Sequence, residues 1–313
     1  MSIISLIGNT PLIALERIGR DLPVPVLVKC EHLNPGGSVK DRIALAIVED
    51  AERRGALRPG MTIIEATAGN TGIGLALVAA ARGYGLVFVM PEKMSSDKRD
   101  ALSALGARVI VTPNAPPSAP ENFQNEARRL AGDNGWFLAD QFNNPANIRV
   151  HQDRTAGEIL EQVDGPVGAF VNGAGTGGTI TGVGRRLKTD SPGARIVLAD
   201  PIGSVLADWV ETGETGPDGS YQVEGIGSSN IPGNLDRSVI DAAERVSDAE
   251  SFDMARRLVR EEGLLVGGSS GTNVVAALRV AARGDLNGPV VTVLGDGWDR
   301  YRATQWMKDW SES

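Results

Sequence analysis

Strand-like and helix-like segments alternate along most of this chain of 313 residues. The strand-like segments are short, continuous apolar runs rich in valine and isoleucine, which is typical of strands that are covered on both faces. We predict strands at Val26–Cys30, Thr62–Glu65, Leu86–Met90, Arg108–Val111, Ala169–Asn172, Arg195–Ala199 and Val290–Leu294. We predict helices at Ile43–Arg54, Gly72–Arg82, Asp97–Leu105, Asn122–Ala131, Val150–Gln162, Thr179–Thr189, Ser251–Glu262 and Asn273–Ala282. This alternation predicts an α/β fold in which helices cover both faces of mostly parallel, twisted sheets.

The length suits one large or two medium-sized domains. We predict an N-terminal αβ domain at residues 36–145. A larger αβ domain is expected to contain residues 146–313 and to take back residues 1–35. Ligands of such folds bind at the carboxyl ends of the strands, so the loops that follow strands are where chemistry is expected.

Composition excludes several classes of partner. The net charge of -8 and the isoelectric point near 5.0 argue against nucleic acid or an anionic membrane. The longest apolar run, Gly72–Ala81, is too short to cross a membrane, and the N-terminus lacks the pattern of a signal peptide. The single cysteine, Cys30, permits no intrachain disulfide and fits a core position in a protein of the reducing cytoplasm. Besides this cysteine the chain has only two histidines, His32 and His151, so no metal site is expected.

The segment Asn34–Arg42, NPGGSVKDR, lies between a predicted strand and a predicted helix. Its proline and glycines predict a tight turn, and Ser38 as N-cap would put Lys40 in the first helical turn. The positive end of the helix dipole disfavours an ammonium there and helps to lower the lysine pKa, which suits a Schiff-base enzyme. On this segment alone, a solvated lysine paired with Asp41 or Glu49 is the more common outcome.

The loop Glu65–Gly72 also follows a predicted strand and precedes a predicted helix. Backbone N–H groups at such a junction favour an anion, and Thr67, Asn70 and Thr71 add side-chain donors. A substrate carboxylate is the natural ligand for this set. The alternative is an ordinary turn that is capped by Thr71.

A third loop, Gly173–Thr179, combines small residues with a helix start and therefore predicts a phosphate site. Its Gly173, Gly175 and Gly178 also satisfy the G-x-G-x-x-G pattern of dinucleotide-binding domains. Asp200 ends the next predicted strand, where an acid that binds a ribose would lie. On this motif alone, an NAD-binding domain remains an equal alternative.

A fourth loop, Val266–Asn273, carries the sequence VGGSSGTN and leads into a predicted helix. Ser269 or Ser270 is expected to be its N-cap, which is the commonest role of serine at such a position.

Taken together, the motifs NPGGSVKDR, TAGNTG, GTGGT and GGSSG, in that order, resemble those of the cysteine synthase and cystathionine β-synthase family of pyridoxal-phosphate enzymes. That family has the tryptophan-synthase β-like fold, also called fold type II. The resemblance covers essentially the whole chain. The segments Met90–Ser96, Val223–Gly227 and Glu262–Ser269 resemble cystathionine β-synthase more than a typical cysteine synthase. The resemblance implies a catalytic core alone, without the haem-binding extension and the regulatory domain of the animal cystathionine β-synthases.

The resemblance also implies roles for individual residues. Lys40 matches the Schiff-base lysine, Asn70 the residue that binds the ring oxygen of the cofactor, and Ser269 the partner of the pyridine nitrogen. The phosphate loop corresponds to Gly175, Thr176, Gly177, Gly178 and Thr179. The group around the substrate carboxylate corresponds to Thr67, Gly69, Asn70, Thr71 and Gln141, and Gly225 matches the entrance for the second substrate.

The activity that the resemblance implies is β-replacement on serine or O-acetylserine by a thiol, either sulfide or homocysteine. The product would be cysteine or cystathionine, formed through an aminoacrylate, in a cytoplasmic homodimer that acts on small molecules. Ala68 stands where many members of the family carry serine, which leaves the donor open. The alternatives are a serine or threonine dehydratase of the same fold, an NAD-dependent oxidoreductase, and a protein that kept the fold without catalysis.

Overall fold

The computed structural model describes residues 2–311, and all seven predicted strands are present in it. The strands are β1 (Leu12–Ala14), β2 (Val26–Lys29), β3 (Thr62–Ala66), β4 (Gly85–Pro91), β5 (Arg108–Thr112), β6 (Phe137–Leu138), β7 (Ala169–Asn172), β8 (Arg195–Pro201), β9 (Ala242–Val246) and β10 (Val290–Val293). The strands that the sequence did not predict are β1, β6 and β9. Each of them is the edge of a sheet, where a strand needs no continuous apolar run.

The predicted helices are also present, although several begin earlier than expected. The helices are α1 (Lys40–Arg53), α2 (Asn70–Arg82), α3 (Ser96–Ala104), α4 (Phe123–Asn134), α5 (Pro145–Val150), α6 (Ala156–Gln162), α7 (Gly178–Asp190), α8 (Leu206–Thr212), α9 (Asp248–Glu262), α10 (Gly268–Ala282) and α11 (Gln305–Ser311). A π-helical turn, His151–Thr155, joins α5 to α6. Within residues 2–311, no helix is long and apolar enough to cross a membrane.

The chain forms two compact units. The smaller unit contains the residues up to Ile7 together with Lys40–Asn147. The larger unit contains Gly8–Val39 and the chain from Ile148 onward. The predicted division differs in three places, since it assigned residues 36–39 to the smaller domain and residues 1–7 and 146–147 to the larger one.

The smaller unit is built on a four-stranded sheet in the order β5-β4-β3-β6, in which every pair is parallel. Its β3 and β4 pack against α4 through an apolar cluster that includes Ile64, Val89 and Ala127. Because β3 leads directly into the loop before α2, this sheet positions one of the candidate loops at its carboxyl edge.

The larger unit is built on a six-stranded sheet in the order β1-β2-β10-β7-β8-β9, in which only β1 is antiparallel to its neighbour. Two apolar clusters cover its two faces. One joins Val171 of β7 to α9 and α10, and the other joins Phe170 of β7 to α6, α7 and α8. Adjacent residues of one strand therefore lie in different clusters, which explains why β7 is a continuous apolar run.

The single cysteine lies in the core of the larger unit. Cys30 is 1% exposed, and burial raises its thiol pKa to about 12. Because the thiolate is the reactive form, both effects protect Cys30 from electrophiles.

We therefore expect iodoacetamide at pH 8 to modify native protein many-fold more slowly than protein unfolded in guanidinium chloride. Mass spectrometry of samples taken over time measures both rates. Equal rates in the two states would show that Cys30 is accessible and reactive.

Candidate active site

Lys40 and Asn70 begin two helices that pack against each other in the smaller unit. Lys40 is the first residue of α1 and Asn70 is the first residue of α2. The helices approach closely at Gly74, where a Cβ atom would lie 3.0 Å from the backbone oxygen of Lys40 and 3.0 Å from Ala44 Cβ. Gly74 is one turn beyond Asn70, so this glycine brings the N-terminal turns of α1 and α2 together.

The loop between β3 and α2 turns around Gly69. Thr67 Oγ1 accepts a hydrogen bond from Gly69 N at 3.2 Å, and Gly72 N donates to Gly69 O at 3.0 Å. The residue that precedes α2 is Gly69, and Thr71 lies inside the helix. The expectation that Thr71 could cap this helix is therefore wrong, since an N-cap lies outside the helical residues.

The Thr71 side chain belongs instead to a buried chain of hydrogen bonds. Thr71 Oγ1 donates to Gln141 Oε1 at 2.6 Å. Gln141 Nε2 donates to Glu65 Oε1 at 3.2 Å, and Gln141 N donates to Glu65 Oε2 at 3.4 Å. The smaller unit thus brings together two predicted site residues that are far apart in sequence, and it adds Glu65.

Burial raises the pKa of Glu65 to about 8. No motif pointed to this residue, although a carboxyl at the end of an otherwise apolar strand was a visible signal.

The loop between β7 and α7 leaves backbone donors free at a helix start. The first N–H of α7 that reaches a carbonyl is that of Thr181, which donates to Gly177 O at 3.1 Å. The preceding N–H groups, of Gly178, Thr179 and Ile180, have no acceptor within the helix. Together with the positive end of the helix dipole, these groups can bind an anion such as a phosphate.

Close contacts with neighbouring backbone atoms also require glycine in this loop. A Cβ at Gly175 would lie 2.3 Å from Gly225 O, and a Cβ at Gly177 would lie 2.6 Å from Leu235 N. Gly177 also has a φ of +84°, which favours glycine. The larger unit therefore places Gly225 against the predicted phosphate loop, in which Thr176 is buried.

A buried histidine supports the hydroxyl of Thr179. Thr179 Oγ1 lies 3.1 Å from His151 Nε2, and His151 Nδ1 lies 3.0 Å from Thr155 Oγ1. His151 is 1% exposed and belongs to the π-helical turn, a feature that often marks functional sites. Gly182 permits this approach, because a Cβ there would lie 2.4 Å from Ile148 O. No sequence pattern pointed to His151, since its partner lies on another helix.

Ser269 and Ser270 lie in the first turn of α10, and the N-cap of that helix is Gly267. The expectation that one of these serines is the N-cap is therefore wrong. Ser270 Oγ accepts a hydrogen bond from Gly295 N at 3.1 Å. The hydroxyl of Ser269 makes no hydrogen bond with any residue in the described range 2–311, although the side chain is only 5% exposed. Ser269 is thus the serine that is free to bind a ligand.

A buried amide joins the phosphate loop to α10. Asn273 Oδ1 accepts from Gly173 N at 2.7 Å, while Asn273 Nδ2 donates to Val293 O at 2.8 Å and to Asn172 Oδ1 at 3.3 Å. Since Ser269 lies one turn earlier on the same helix, Asn273 fixes the position of the Ser269 turn relative to the predicted phosphate loop.

Asp200, the candidate acid of a dinucleotide site, faces the protein interior. Its side chain is fully buried, and Asp200 Oδ2 accepts from Ala207 N at 2.8 Å in the first turn of α8. Burial raises the pKa of Asp200 to about 6. The carboxyl therefore holds a helix end and does not face a ribose. The described residues also contain no group of three acidic, histidine or cysteine side chains that could hold a metal ion.

The chain belongs to the family of pyridoxal-phosphate-dependent enzymes. The family model described as "Pyridoxal-phosphate dependent enzyme" matches residues 3–296. This finding confirms the predicted family and its cofactor, pyridoxal phosphate.

Among its relatives is cystathionine beta-synthase of Rattus norvegicus, which is 48% identical over 310 residues that cover 96% of this chain and 55% of the relative. The cysteine synthase of Staphylococcus aureus is 43% identical over 304 residues, which are 97% of this chain and 96% of the relative. The chain thus spans little more than half the length of the cystathionine beta-synthases that it matches and nearly all of the cysteine synthase.

The fold is that of a solved O-ureido-L-serine synthase. The TM-score is 0.89 at 40% identity, and the match covers 100% of this chain and 99% of the synthase. A lysine-to-alanine variant of that synthase, with O-ureido-L-serine bound, matches with a TM-score of 0.87 at 41% identity and covers 98% of this chain and 93% of that one. The predicted α/β fold of type II is therefore confirmed.

The residues present fit pyridoxal phosphate. An aldehyde cofactor needs a lysine, which Lys40 can supply. A phosphate needs several donors, which the start of α7 provides. A ring nitrogen needs one polar partner, and the nearly buried Ser269 hydroxyl has no hydrogen-bond partner in the part of the chain that the structure describes.

The contribution of the Thr179 hydroxyl to phosphate binding can be tested directly. We expect Thr179→Val to lower the affinity of the apoprotein for pyridoxal phosphate about 10- to 100-fold, because it removes one charge-assisted hydrogen bond worth roughly 1.5–3 kcal/mol. Fluorescence titration measures the affinity. Thr189→Val, on an exposed threonine of the same helix, is the matched control and should leave it unchanged. Equal affinities for both variants would exclude the Thr179 hydroxyl from phosphate binding.

A second test should distinguish the roles of the two adjacent serines of α10. Ser270→Ala leaves Gly295 N without its partner and should lower the free energy of unfolding by about 1–3 kcal/mol. Ser269→Ala removes no internal bond and should change it by less than about 0.5 kcal/mol, while altering the visible spectrum of the bound cofactor. Urea unfolding of the apoproteins measures the free energy of unfolding. A larger stability loss for Ser269→Ala would contradict this division of roles.

Proposed function

We propose that this protein catalyses β-replacement on an amino acid, with pyridoxal phosphate as cofactor and a thiol as the incoming nucleophile. The observation that carries this proposal is the arrangement in the smaller unit. Lys40 begins the helix that packs against α2, and the donors at the start of α2 suit a carboxylate. A reactive lysine beside a carboxylate site is what an enzyme needs to act on the Cα and Cβ atoms of an amino acid.

The roles of the residues toward the cofactor follow from their chemistry. When bound, pyridoxal phosphate supplies a sink for the electrons that a broken Cα–H bond leaves behind. Lys40 Nζ would bind the cofactor carbonyl carbon with loss of water. Once the substrate amine has displaced it, Lys40 would take the proton from Cα of the substrate. Asn70 binds the ring oxygen, and the loop from Gly175 to Thr179 binds the phosphate.

The substrate carboxylate is bound by donors that remain available around Gly69. Thr67 Oγ1 accepts from Gly69 N, which leaves its own proton for the substrate. Thr71 Oγ1 already donates its proton to Gln141, so Thr71 contributes its backbone N–H rather than its hydroxyl. Gln141, which is hydrogen-bonded to Thr71 and Glu65, completes the set. This arrangement orients Cα of the substrate for proton transfer to Lys40.

Ser269 supports elimination rather than transamination. A hydroxyl is neutral, so it does not hold a proton on the pyridine nitrogen as a carboxylate would. With Ser269 in this role, the group on Cβ would leave with its bonding electron pair once Lys40 has taken the Cα proton. The incoming thiol would then bond to Cβ through its sulfur and lose its own proton, and Lys40 would return a proton to Cα.

We propose serine or O-acetylserine as the donor and sulfide or homocysteine as the acceptor, giving cysteine or cystathionine. The names of the relatives, cystathionine beta-synthase and cysteine synthase, support this set of substrates. Ala68 carries no hydroxyl beside the carboxylate site, and within residues 2–311 no residue other than the chain neighbours of Gly69 comes within 4 Å of a Cβ built there. This open space favours the bulkier O-acetylserine over serine.

A homodimer in the cytoplasm is part of the same proposal. The family resemblance supports the dimer, and a single buried thiol suits a reducing compartment. Light scattering during size-exclusion chromatography measures the mass in solution.

The reaction itself is tested by product analysis. We expect O-acetylserine with sulfide, or with homocysteine, to give one thioether or thiol product for each donor consumed, at a rate that depends on the thiol. Lys40→Ala should lower the rate by at least a thousandfold, whereas Lys93→Ala, on an exposed lysine, should not change it.

Pyruvate and ammonia formed at the same rate with or without thiol would contradict β-replacement and indicate a dehydratase. Tight NAD binding by a colourless protein would contradict both β-replacement and dehydratase activity.

A further inference from the structure

The predicted phosphate loop has few side chains of its own that could fix its position. Of residues 173–178, four are glycines, and the other two are Ala174 and Thr176. Glycine gives the backbone more conformational freedom than any other residue, and freedom that is lost on binding weakens the affinity for a ligand. Asn273 holds the first residue of the loop through Gly173 N. The rest of the loop therefore depends on the elements that pack against it.

An irregular segment, residues 225–227, packs along this loop. We call it the covering segment. Gly227 N donates a hydrogen bond to Ala174 O at 2.9 Å. Beside this bond, a Cβ at Gly175 would lie 2.3 Å from Gly225 O, so the two backbones are in direct contact. A shift of the covering segment would therefore shift the backbone of the loop.

Ile226 joins the covering segment to the core of the larger unit. Its side chain lies against Gly173, where a Cβ atom would be 2.8 Å from Ile226 Cδ1 and 2.9 Å from Ile226 Cγ2. The same side chain packs against a buried apolar cluster that includes Val223, Phe252 and Trp306. In this cluster the Phe252 and Trp306 rings are stacked, with centroids 4.9 Å apart. Ile226 thus fills the space between a closely packed cluster and the glycine-rich loop.

The two flanks of the covering segment are held by other residues. Val223 N donates to Asp248 Oδ1 at 3.1 Å, and Ser228 N donates to Ser204 Oγ at 3.1 Å. Neither bond involves the side chain of Ile226. Shortening Ile226 should therefore loosen the contact with the loop while the flanks of the segment stay in place.

We propose that Ile226 is a positioning residue for the cofactor phosphate. Its side chain holds Gly173 against the cluster, so that the backbone donors of the loop are already arranged for a phosphate before the cofactor binds. The proposed role rests on the proposed function, in which the loop from Gly175 to Thr179 binds that phosphate.

The test compares two ligands of the apoprotein, pyridoxal phosphate and pyridoxal, which has the same ring and aldehyde but no phosphate. Fluorescence titration measures both affinities. Ile226→Ala should weaken the binding of pyridoxal phosphate about tenfold or more and that of pyridoxal by less than about twofold, because only the phosphate needs the ordered loop. Ile226→Val, which lacks Cδ1 but retains Cγ2, should give a smaller loss with the same selectivity. It provides the same comparison if Ile226→Ala does not fold.

Two further isoleucines of the larger unit serve as controls. Ile202 is exposed, and Ile202→Ala should change neither affinity. Ile18 is 1% exposed in a different apolar cluster. Ile18→Ala should lower the stability of the protein without changing the ratio of the two affinities. This control separates a specific effect on the loop from a general loss of stability.

Equal losses for pyridoxal and pyridoxal phosphate in the Ile226 variants, or no loss for either ligand, would overturn the proposal. Thr179→Val shows where such a failure lies. A selective loss in Thr179→Val alone would keep the phosphate at this loop and remove the role of Ile226. No selective loss in any of these variants would exclude the loop as the phosphate site and the role of Ile226 with it. Because titration measures no turnover, these outcomes hold whether or not the protein catalyses β-replacement.

Discussion

The candidate site depends on one constraint, which is that a helix begins with backbone N–H groups that have no partner in the helix. In this protein β3 leads into α2 and β7 leads into α7 through short loops at the carboxyl ends of parallel strands. Each junction presents free donors at a positive helix end, so each suits an anion. A carboxylate and a phosphate are the two anionic groups that an amino acid and pyridoxal phosphate supply.

Free backbone donors bind an anion specifically only if the loops that carry them are rigid. Buried side chains fix these loops in both units. Asn273 fixes the loop before α7, and His151 fixes the hydroxyl of Thr179. Gln141 and Glu65 hold Thr71 in the smaller unit. All of these groups are buried and hydrogen-bonded, so removing one leaves a partner unsatisfied and shifts a ligand-binding atom. In the proposed function, the chemistry at Lys40 and Ser269 therefore relies on residues that touch no reacting atom.

Sequence patterns predicted the central strands and most helices, because continuous apolar runs and helical periods are local signals. They missed the edge strands β1, β6 and β9, whose residues need no such pattern, and they placed the start of α10 too late because its first turn consists of glycine, serine and threonine. Lys40, Asn70 and Ser269 could be selected because ordered motifs surround them. His151 could not, since its partner lies on another helix, and the only local signal for Glu65 was a carboxyl at the end of an apolar strand.

The central claim is that Lys40 carries the cofactor. Reduction of the holoenzyme with borohydride, followed by proteolysis and mass spectrometry, identifies the lysine to which pyridoxal phosphate is bound. Lys29 is an informative comparison, because it is fully buried and paired with Glu158 at 2.8 Å. The account predicts the added mass on the peptide that contains Lys40 and on no other peptide. The added mass on Lys29 or any other lysine, or on none, would contradict it.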